Sequence, residues 1–281
     1  MVVIEDIAGM KTYVSDIKSK GKTIGLVPTM GYFHEGHLML MRTAKKMSDH
    51  LIISLFVNPT QFGRGEDLDK YPKDMERDKT LAKAVGVECI FAPSAGEMYH
   101  AGYSTYVNVE NITTVLCGIS RPHHFRGVAT IVTKLFNIIE PDIAVFGEKD
   151  FQQLVVIKQI VKDLNMNVRV VGHPTIREPD GLAMSSRNAY LKADERKKAL
   201  ILNKSLHLAR TLFAEGVRDV SKIRDSVIKM ISSEEGCDVD YVEVVDTKRL
   251  SPIMTIEDKA LVALAVRIGS TRLIDNTVLG E

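Results

Sequence analysis

Between Thr23 and Val171 the chain sets short apolar runs against segments of helical period, and this alternation restricts the fold more than any single motif. The apolar runs fall at Thr23–Val27, Leu51–Val57, Glu88–Phe91, Asp142–Phe146 and Val168–Val171. Between them His37–Ser48, Met75–Val85, Phe125–Ile139 and Phe151–Leu164 read as helices; in the first, Leu38, Met41 and Ala44 fall on one face. Strands separated by helices favour parallel pairing, because the helix carries the chain back to the starting edge of the sheet. The pattern therefore predicts an α/β fold, a doubly wound parallel sheet. Ligands in such sheets bind beyond the carboxyl ends of the strands, so the loops there are where chemistry is sought.

After about Leu191 the pattern changes. Ala193–Glu215 reads as one long helix and Ser221–Ser232 as another, followed by strands at Tyr241–Val245, Ala260–Val266 and Thr271–Asp275. No helix separates the last two strands, which suggests a second, smaller α+β domain. The boundary falls between about Ile176 and Leu191, giving domains of residues 1–176 and 177–281. With 37 Lys+Arg against 36 Asp+Glu, the chain has no basic excess of the kind a nucleic-acid binder carries. Leu51–Val57 is far short of the roughly 20 apolar residues that span a bilayer. The first residues, MVVIEDIAGMK, lack the basic and apolar regions of a signal peptide. Cys89, Cys117 and Cys237 form no CxxC pair, which suits a reducing compartment. These features predict a cytoplasmic protein that binds neither nucleic acid nor membrane.

Four segments carry candidate chemistry. The first, Pro28-Thr29-Met30-Gly31-Tyr32-Phe33-His34-Glu35-Gly36-His37, follows a strand and opens a helix. A helix start offers free N–H groups and partial positive charge, so it suits phosphate. His34 and His37, three apart, would point the same way and donate to phosphate oxygens. Taken alone, a histidine pair of this kind reads first as a tight turn with two surface histidines. It is neither HExxH nor a Walker loop. The second, Gly181-Leu182-Ala183-Met184-Ser185-Ser186-Arg187-Asn188, offers hydroxyls and a guanidinium to a polyphosphate, or is a solvated turn. The third, Phe146-Gly147-Glu148-Lys149-Asp150-Phe151-Gln152-Gln153, lies between strand and helix. There Lys149 could neutralise phosphate, and Asp150 could cap the helix or hold Mg²⁺ through water. The fourth, Val57-Asn58-Pro59-Thr60-Gln61-Phe62, has an Asn and a Gln able to read a small polar acid. Asp78 and His124 are polar residues that fit the site or the scaffold equally.

HEGH after the first strand, with Met184-Ser185-Ser186-Arg187-Asn188 after the last, resembles the HxGH and KMSKS-like pair of the nucleotidylyltransferase superfamily. Within it, residues 28–37, 57–62, 121–128, 146–154 and 177–188 are similar to the pantothenate synthetase family. His123 stands where that family usually has Gly, and Lys73 where it usually has Arg. The resemblance implies a Rossmann-like amino-terminal domain, a smaller domain that closes over the site, and a homodimer. It implies that ATP, with Mg²⁺, pantoate and β-alanine give pantothenate, AMP and pyrophosphate. It assigns ATP to Met30, Gly31, Tyr32, Phe33, His34, Glu35, Gly36, His37, Gly147, Glu148, Lys149, Asp150, Ile176, Met184, Ser185, Ser186 and Arg187. Of these, His34, His37 and Lys149 would be catalytic. Gln61 and Gln153 would hold pantoate, with Gln61 also near β-alanine; no metal ligands are assigned. Two rivals stay open: an enzyme that leaves the nucleotide on its product, and a nucleotide-binding sensor, against which the polar groups at several strand ends argue; a third, tRNA-synthetase-like reading lacks an RNA-binding segment or a basic excess.

Overall fold

The computed structural model describes residues 1–63 and 65–280. A first strand, β1 (Val2–Ile4), precedes the five apolar runs, which become strands β2 (Ile24–Thr29), β3 (His50–Leu55), β4 (Cys89–Phe91), β5 (Ile143–Gly147) and β6 (Arg169–His173). Helices α1 (Ile7–Ser19), α2 (Glu35–Met47), α3 (Met75–Ala84), α4 (Ala95–Met98), α5 (Cys117–Ser120), α6 (His124–Ile139) and α7 (Phe151–Asp163) intervene. Later come α8 (Ala193–Lys198), α9 (Leu200–Ala214), α10 (Val220–Ser232), β7 (Cys237–Val245), β8 (Ala260–Ile268) and β9 (Thr271–Leu279). The first six strands form one parallel sheet in the order β1-β4-β3-β2-β5-β6. The last three form an antiparallel sheet, β7-β8-β9. The α/β architecture read from the alternation is therefore present.

The chain forms two compact units, neither of them continuous. The first comprises Met1–Glu110, Arg121–Glu148 and Val156–Pro174; the second comprises Asn111–Ser120, Lys149–Val155 and Thr175–Glu281. A single cut at residue 176 is simpler than this division, which gives Lys149, Asp150 and Gln153 to the second unit. Gln152 supplies one physical reason. Its Oε1 accepts from Cys117 N at 3.1 Å, and its Nε2 donates to the carbonyls of Ile112 and Val115 at 2.8 Å each. Phe151, Val155 and Leu116 pack with Val245, Leu250, Leu261 and Ala263 of the antiparallel sheet's strands and turns.

In the first unit, Leu38, Met41 and Ala44 of α2 are buried against Val27, Leu51, Ile53 and Val145. In the second, α9 buries Ile201, Leu202, Leu206 and Ala209 with Val262, Leu264 and Val266 of β8. The single helix predicted over Ala193–Glu215 is interrupted at Ala199. Arg196 of α8 reaches Glu178 and Asp180 at 2.7 Å each, so α8 leans on the 177–188 loop while α9 serves the core. Among the described residues no helix is long and apolar enough to cross a membrane. All three cysteines are free and buried.

Candidate active site

The strand order turns back between β2 and β5: β3 and β4 follow on one side, β6 on the other. This is the switch point at which doubly wound sheets open a crevice. Pro28 widens it. Thr29's carbonyl accepts from Phe56 N at 3.0 Å, on the β3 side, so by alternation Pro28 faces β5. Proline has no N–H to donate there. The β2–β5 ladder accordingly ends at Leu26↔Ala144, whereas β2 and β3 stay paired to Thr29↔Leu55.

Out of this gap rises the turn that starts α2. Gly31 takes a φ of 89° and Tyr32 one of 54°, a left-handed pair that reverses the chain. Asp78, on α3 and 1% exposed, fixes that reversal from beneath. Its two carboxylate oxygens accept from Tyr32 N and Phe33 N, both at 2.7 Å. Burial pushes the Asp78 carboxyl up against the pull of the two amides. Arg77 stacks 5.2 Å over the Tyr32 ring. Asp78 thus belongs to the scaffold directly under the histidines. His34 caps α2, and the His34 and His37 rings stack with centroids 4.0 Å apart. His34 N donates to His37 Nδ1 at 3.4 Å, which favours the tautomer carrying its proton on Nε2. Phe33, fully buried, packs against His37 with ring centroids 5.6 Å apart and the rings tilted by 57°. Glu35 is exposed and paired with Arg42 on the same helix.

Gln61 ends a short 3-10 turn, Pro59–Gln61, after β3. Its side chain is held between two groups: Nε2 lies 3.1 Å from Met30 Sδ, and Oε1 accepts from Asn58 Nδ2 at 3.1 Å. Its carbonyl accepts from Arg121 Nη2 at 3.2 Å and lies 2.9 Å from His124 Nδ1. Asn58 is buried and has partners all round. Its Oδ1 accepts from Thr60 Oγ1 at 2.9 Å and Tyr99 Oη at 2.8 Å, and its Nδ2 also donates to the Gly127 carbonyl at 3.1 Å. Asn58 therefore orients Gln61. Gly127 lets α6 come this close: a Cβ there would sit 2.4 Å from the Thr60 carbonyl oxygen. His124 acts in the same clamp.

In the second unit, Lys149 is half-buried in a 3-10 turn, Glu148–Asp150, with Asp150 exposed at its end. Gln153 is half-buried on α7. The 177–188 segment is a tight antiparallel loop. Met184 N donates to the Ile176 carbonyl at 2.9 Å and Glu178 N to the Leu182 carbonyl at 2.8 Å, with Gly181 at a φ of 97°. Ser185 caps the following turn, its hydroxyl accepting from Arg187 N at 3.3 Å. Asn188 Nδ2 donates to Glu178 at 2.8 Å and to the Ala183 carbonyl at 3.1 Å. The first unit thus brings Met30, the two histidines, Gln61 and the Gly147 strand end around one switch point. The second holds Lys149, Asp150, Gln153, Ile176, Met184, Ser185, Ser186 and Arg187. Sequence reasoning left out Glu66, Asp275 and Asn276, which no local pattern marks; it did single out Asn58, as a group reading a small acid, whereas the structure bonds Asn58 to Gln61, Thr60, Tyr99 and Gly127.

A doubly wound parallel sheet with a histidine pair opening a helix at its switch point defines an α/β class with a crevice suited to phosphate. Comparison with known proteins narrows the class. The family model for pantoate–β-alanine ligase matches residues 2–278. The pantothenate synthetase of Geobacter sulfurreducens is 56% identical over 281 residues, covering 100% of this chain and 99% of that protein. The pantothenate synthetase of Acetivibrio thermocellus is 57% identical over 279 residues, covering 99% of each. Among solved structures, pantothenate synthetase from Thermus thermophilus superposes with a TM-score of 0.94 at 41% identity, covering 99% of both chains. Pantoate–β-alanine ligase from Francisella tularensis, complexed with β,γ-ATP and β-alanine, gives 0.82 at 32% identity, covering 99% of this chain and 97% of that one. The chain belongs to the pantoate–β-alanine ligase family, and it is an enzyme.

Proposed function

We propose that this chain joins pantoate to β-alanine with ATP, through a pantoyl adenylate, releasing pyrophosphate and then AMP. The observation that carries the residue roles is the stacked His34–His37 pair at the start of α2, held over Asp78 at the sheet's switch point. Membership of the family, and the acid and amine that its relatives are named for, support the choice of substrates.

A carboxylate is a poor acyl donor because it would have to expel oxide. Attack of a pantoate carboxylate oxygen on the α-phosphorus of ATP breaks the bond to pyrophosphate and gives the pantoyl adenylate, a mixed anhydride of the acid and AMP. The unprotonated amine of β-alanine then adds to the acyl carbon, loses a proton, and expels AMP. Positioning and charge stabilisation are the protein's main contributions. His37, with its proton on Nε2, donates to the leaving phosphates. His34 lies beside it, and the N–H groups at the start of α2 add their dipole. Met30, Gly31, Tyr32, Phe33, Glu35 and Gly36 line that approach. From the second unit, Lys149 neutralises growing charge, and Ser185, Ser186 and Arg187 hold polyphosphate oxygens. Gly147, Glu148, Asp150, Ile176 and Met184 complete the ATP contacts. Gln61 and Gln153 bind pantoate, and Gln61 also orients β-alanine.

Mg²⁺ accompanies the nucleotide. Among the described residues no three His, Cys, Asp or Glu side chains form a ready metal cluster. Mg²⁺ usually binds nucleotides through phosphate and water, and the exposed Asp150 carboxylate, next to Lys149, is a hard donor that could reach such an ion through water. Bound there, the ion would screen triphosphate charge. The reading extends to a homodimer in the cytoplasm, which sedimentation and fractionation test.

The deciding experiment offers purified protein ATP, Mg²⁺ and pantoate, with and without β-alanine, and follows pyrophosphate and AMP. Pyrophosphate should require pantoate, and AMP should appear with a new amide only when β-alanine is added. Lys149→Ala and His37→Ala should each cut pyrophosphate release by about 100-fold or more while the protein stays folded. Wild-type turnover in both would remove these roles.

A further inference from the structure

The antiparallel sheet of the second unit contains a polar pair that its own ladder does not need. Asp275 and Asn276 are consecutive on β9 and almost fully buried. Their register partners on β8 are Leu264 and Ala263, apolar residues with no side-chain bond to offer. A buried carboxylate and carboxamide in such a strand are costly unless something satisfies them, and well-packed apolar residues would serve a purely structural strand better. Both are satisfied by the loops that carry the proposed nucleotide contacts. Asn276 Nδ2 donates to the Lys149 carbonyl at 2.8 Å. Asn276 N donates to Asp275 Oδ1 at 2.8 Å. Asp275 takes a forked pair from Arg177, Nη1 to Oδ2 at 2.7 Å and Nη2 to Oδ1 at 2.9 Å. The same Arg177 Nη1 donates to the Gly181 carbonyl at 3.1 Å, at the tip of the loop that leads to Ser185. Two segments far apart in sequence, the Lys149 turn and the 177–188 loop, are thus tied to adjacent positions of one strand.

We infer that Asp275 and Asn276 are positioning residues. Asn276 sets the turn from which Lys149 extends, and Asp275, through Arg177, sets the loop that bears Met184 to Arg187. Neither touches substrate. Adjacent strand residues face opposite sides of a sheet, so one short piece of β9 can register two loops against each other. A bidentate Arg–carboxylate pair suits this role because it fixes direction as well as distance. The inference rests on the proposed role of Lys149 at ATP.

Double-mutant cycles on ATP-dependent pyrophosphate release test it. Asn276→Ala should lower kcat/KM for ATP by about 10- to 100-fold, the scale of a small misplacement of a catalytic group. KM for pantoate should change little. In a Lys149→Ala background the same substitution should cost no more than about threefold, because the group it positions is gone. In a His37→Ala background it should multiply in full. Asn276→Leu, close in shape, uncharged and without a donor for the Lys149 carbonyl, should repeat the pattern and serves if the alanine variant folds poorly. Full multiplication with Lys149→Ala, equal coupling to both backgrounds, or no effect of either Asn276 variant in folded protein would overturn the inference. If Lys149→Ala alone leaves ATP dependence unchanged, the site assignment fails instead, and the two failures are told apart by that single variant.

Discussion

Removing the Asp78 carboxylate should both loosen the fold and slow the chemistry. Asp78→Ala deletes the acceptor of two 2.7 Å bonds and leaves the N–H groups of Tyr32 and Phe33 facing a small void. Phe33 is fully buried, so water cannot readily replace the acceptor there. Each orphaned amide costs about 1–3 kcal/mol, or roughly 2–6 kcal/mol for the pair. Part of this is offset, because burial already works against the charged carboxylate and pushes its pKa up. The net expectation is a loss of about 2–4 kcal/mol, which lowers Tm by roughly 5–15 °C in a chain of this size. Asp78→Asn keeps one acceptor and turns an NH₂ toward the other amide, so it should fall about midway. Tyr32, left-handed at a φ of 54°, has least reason to stay there once its bond is lost. The start of α2 would then relax and carry His34 and His37 with it. Pyrophosphate release should drop by about 100-fold, a typical result of displacing catalytic groups by an ångström. Thermal melts and pyrophosphate assays on both variants measure the two effects. An alanine variant that melts and turns over like the parent would refute the claim that Asp78 sets this turn.

Gly127→Ala should drive a Cβ into the backbone of Thr60 and Gln61, where the nearest atoms lie 2.4–2.6 Å away. Overpacking of this kind costs about 1–3 kcal/mol, and KM for pantoate should rise as the Gln61 turn is pushed out. Gln61→Ala should weaken both pantoate and β-alanine dependence while pyrophosphate release at saturating pantoate falls less; unchanged dependence on both would count against its place in the acid site. Burial alone would raise the Glu66 carboxyl, but the Arg121 guanidinium forked onto it outweighs burial and holds it below 4.5. A carboxyl depressed in the native state stabilises above its unfolded value and loses that contribution as pH falls through its folded value. Wild type should therefore lose its thermal margin over Glu66→Gln as pH drops through and below 4.5, and parallel melting curves would show the pair to be idle.

The parallel sheet could be read from sequence because each of its inner strands is largely buried on both faces and so reads as a nearly continuous apolar run. β1 escaped notice because three residues at a sheet edge are too few to show a period. α1 was missed although Asp6 caps it by accepting from Gly9 N at 2.7 Å, and Met10, Val14 and Ile17 bury one face. The break at Ala199 could not be seen because both halves have good helix formers; Arg196's long-range bond to Glu178 makes the difference. Within the site, motifs located the groups that would face ligand. They did not reveal what holds those groups, because Asp78 and Asn276 act across sequence separations that no local pattern encodes, and Asn58, though only three residues from Gln61, is itself fixed by the distant Tyr99 and Gly127. A buried Asp on α3 looks like any first-turn acid until its partners on the β2–α2 turn are known.

The interleaving of the two units has a consequence for synthesis. Residues 111–120 and 149–155 are made early yet pack with strands that leave the ribosome more than eighty residues later. Until β7, β8 and β9 emerge, Leu116, Phe151 and Val155 lack their buried neighbours, and the stretch containing Lys149 has nothing to shape it. A nascent chain should therefore stay protease-sensitive at these two insertions while the surrounding parallel sheet is already protected, and no single cleavage or gene split can yield either half as a self-sufficient piece.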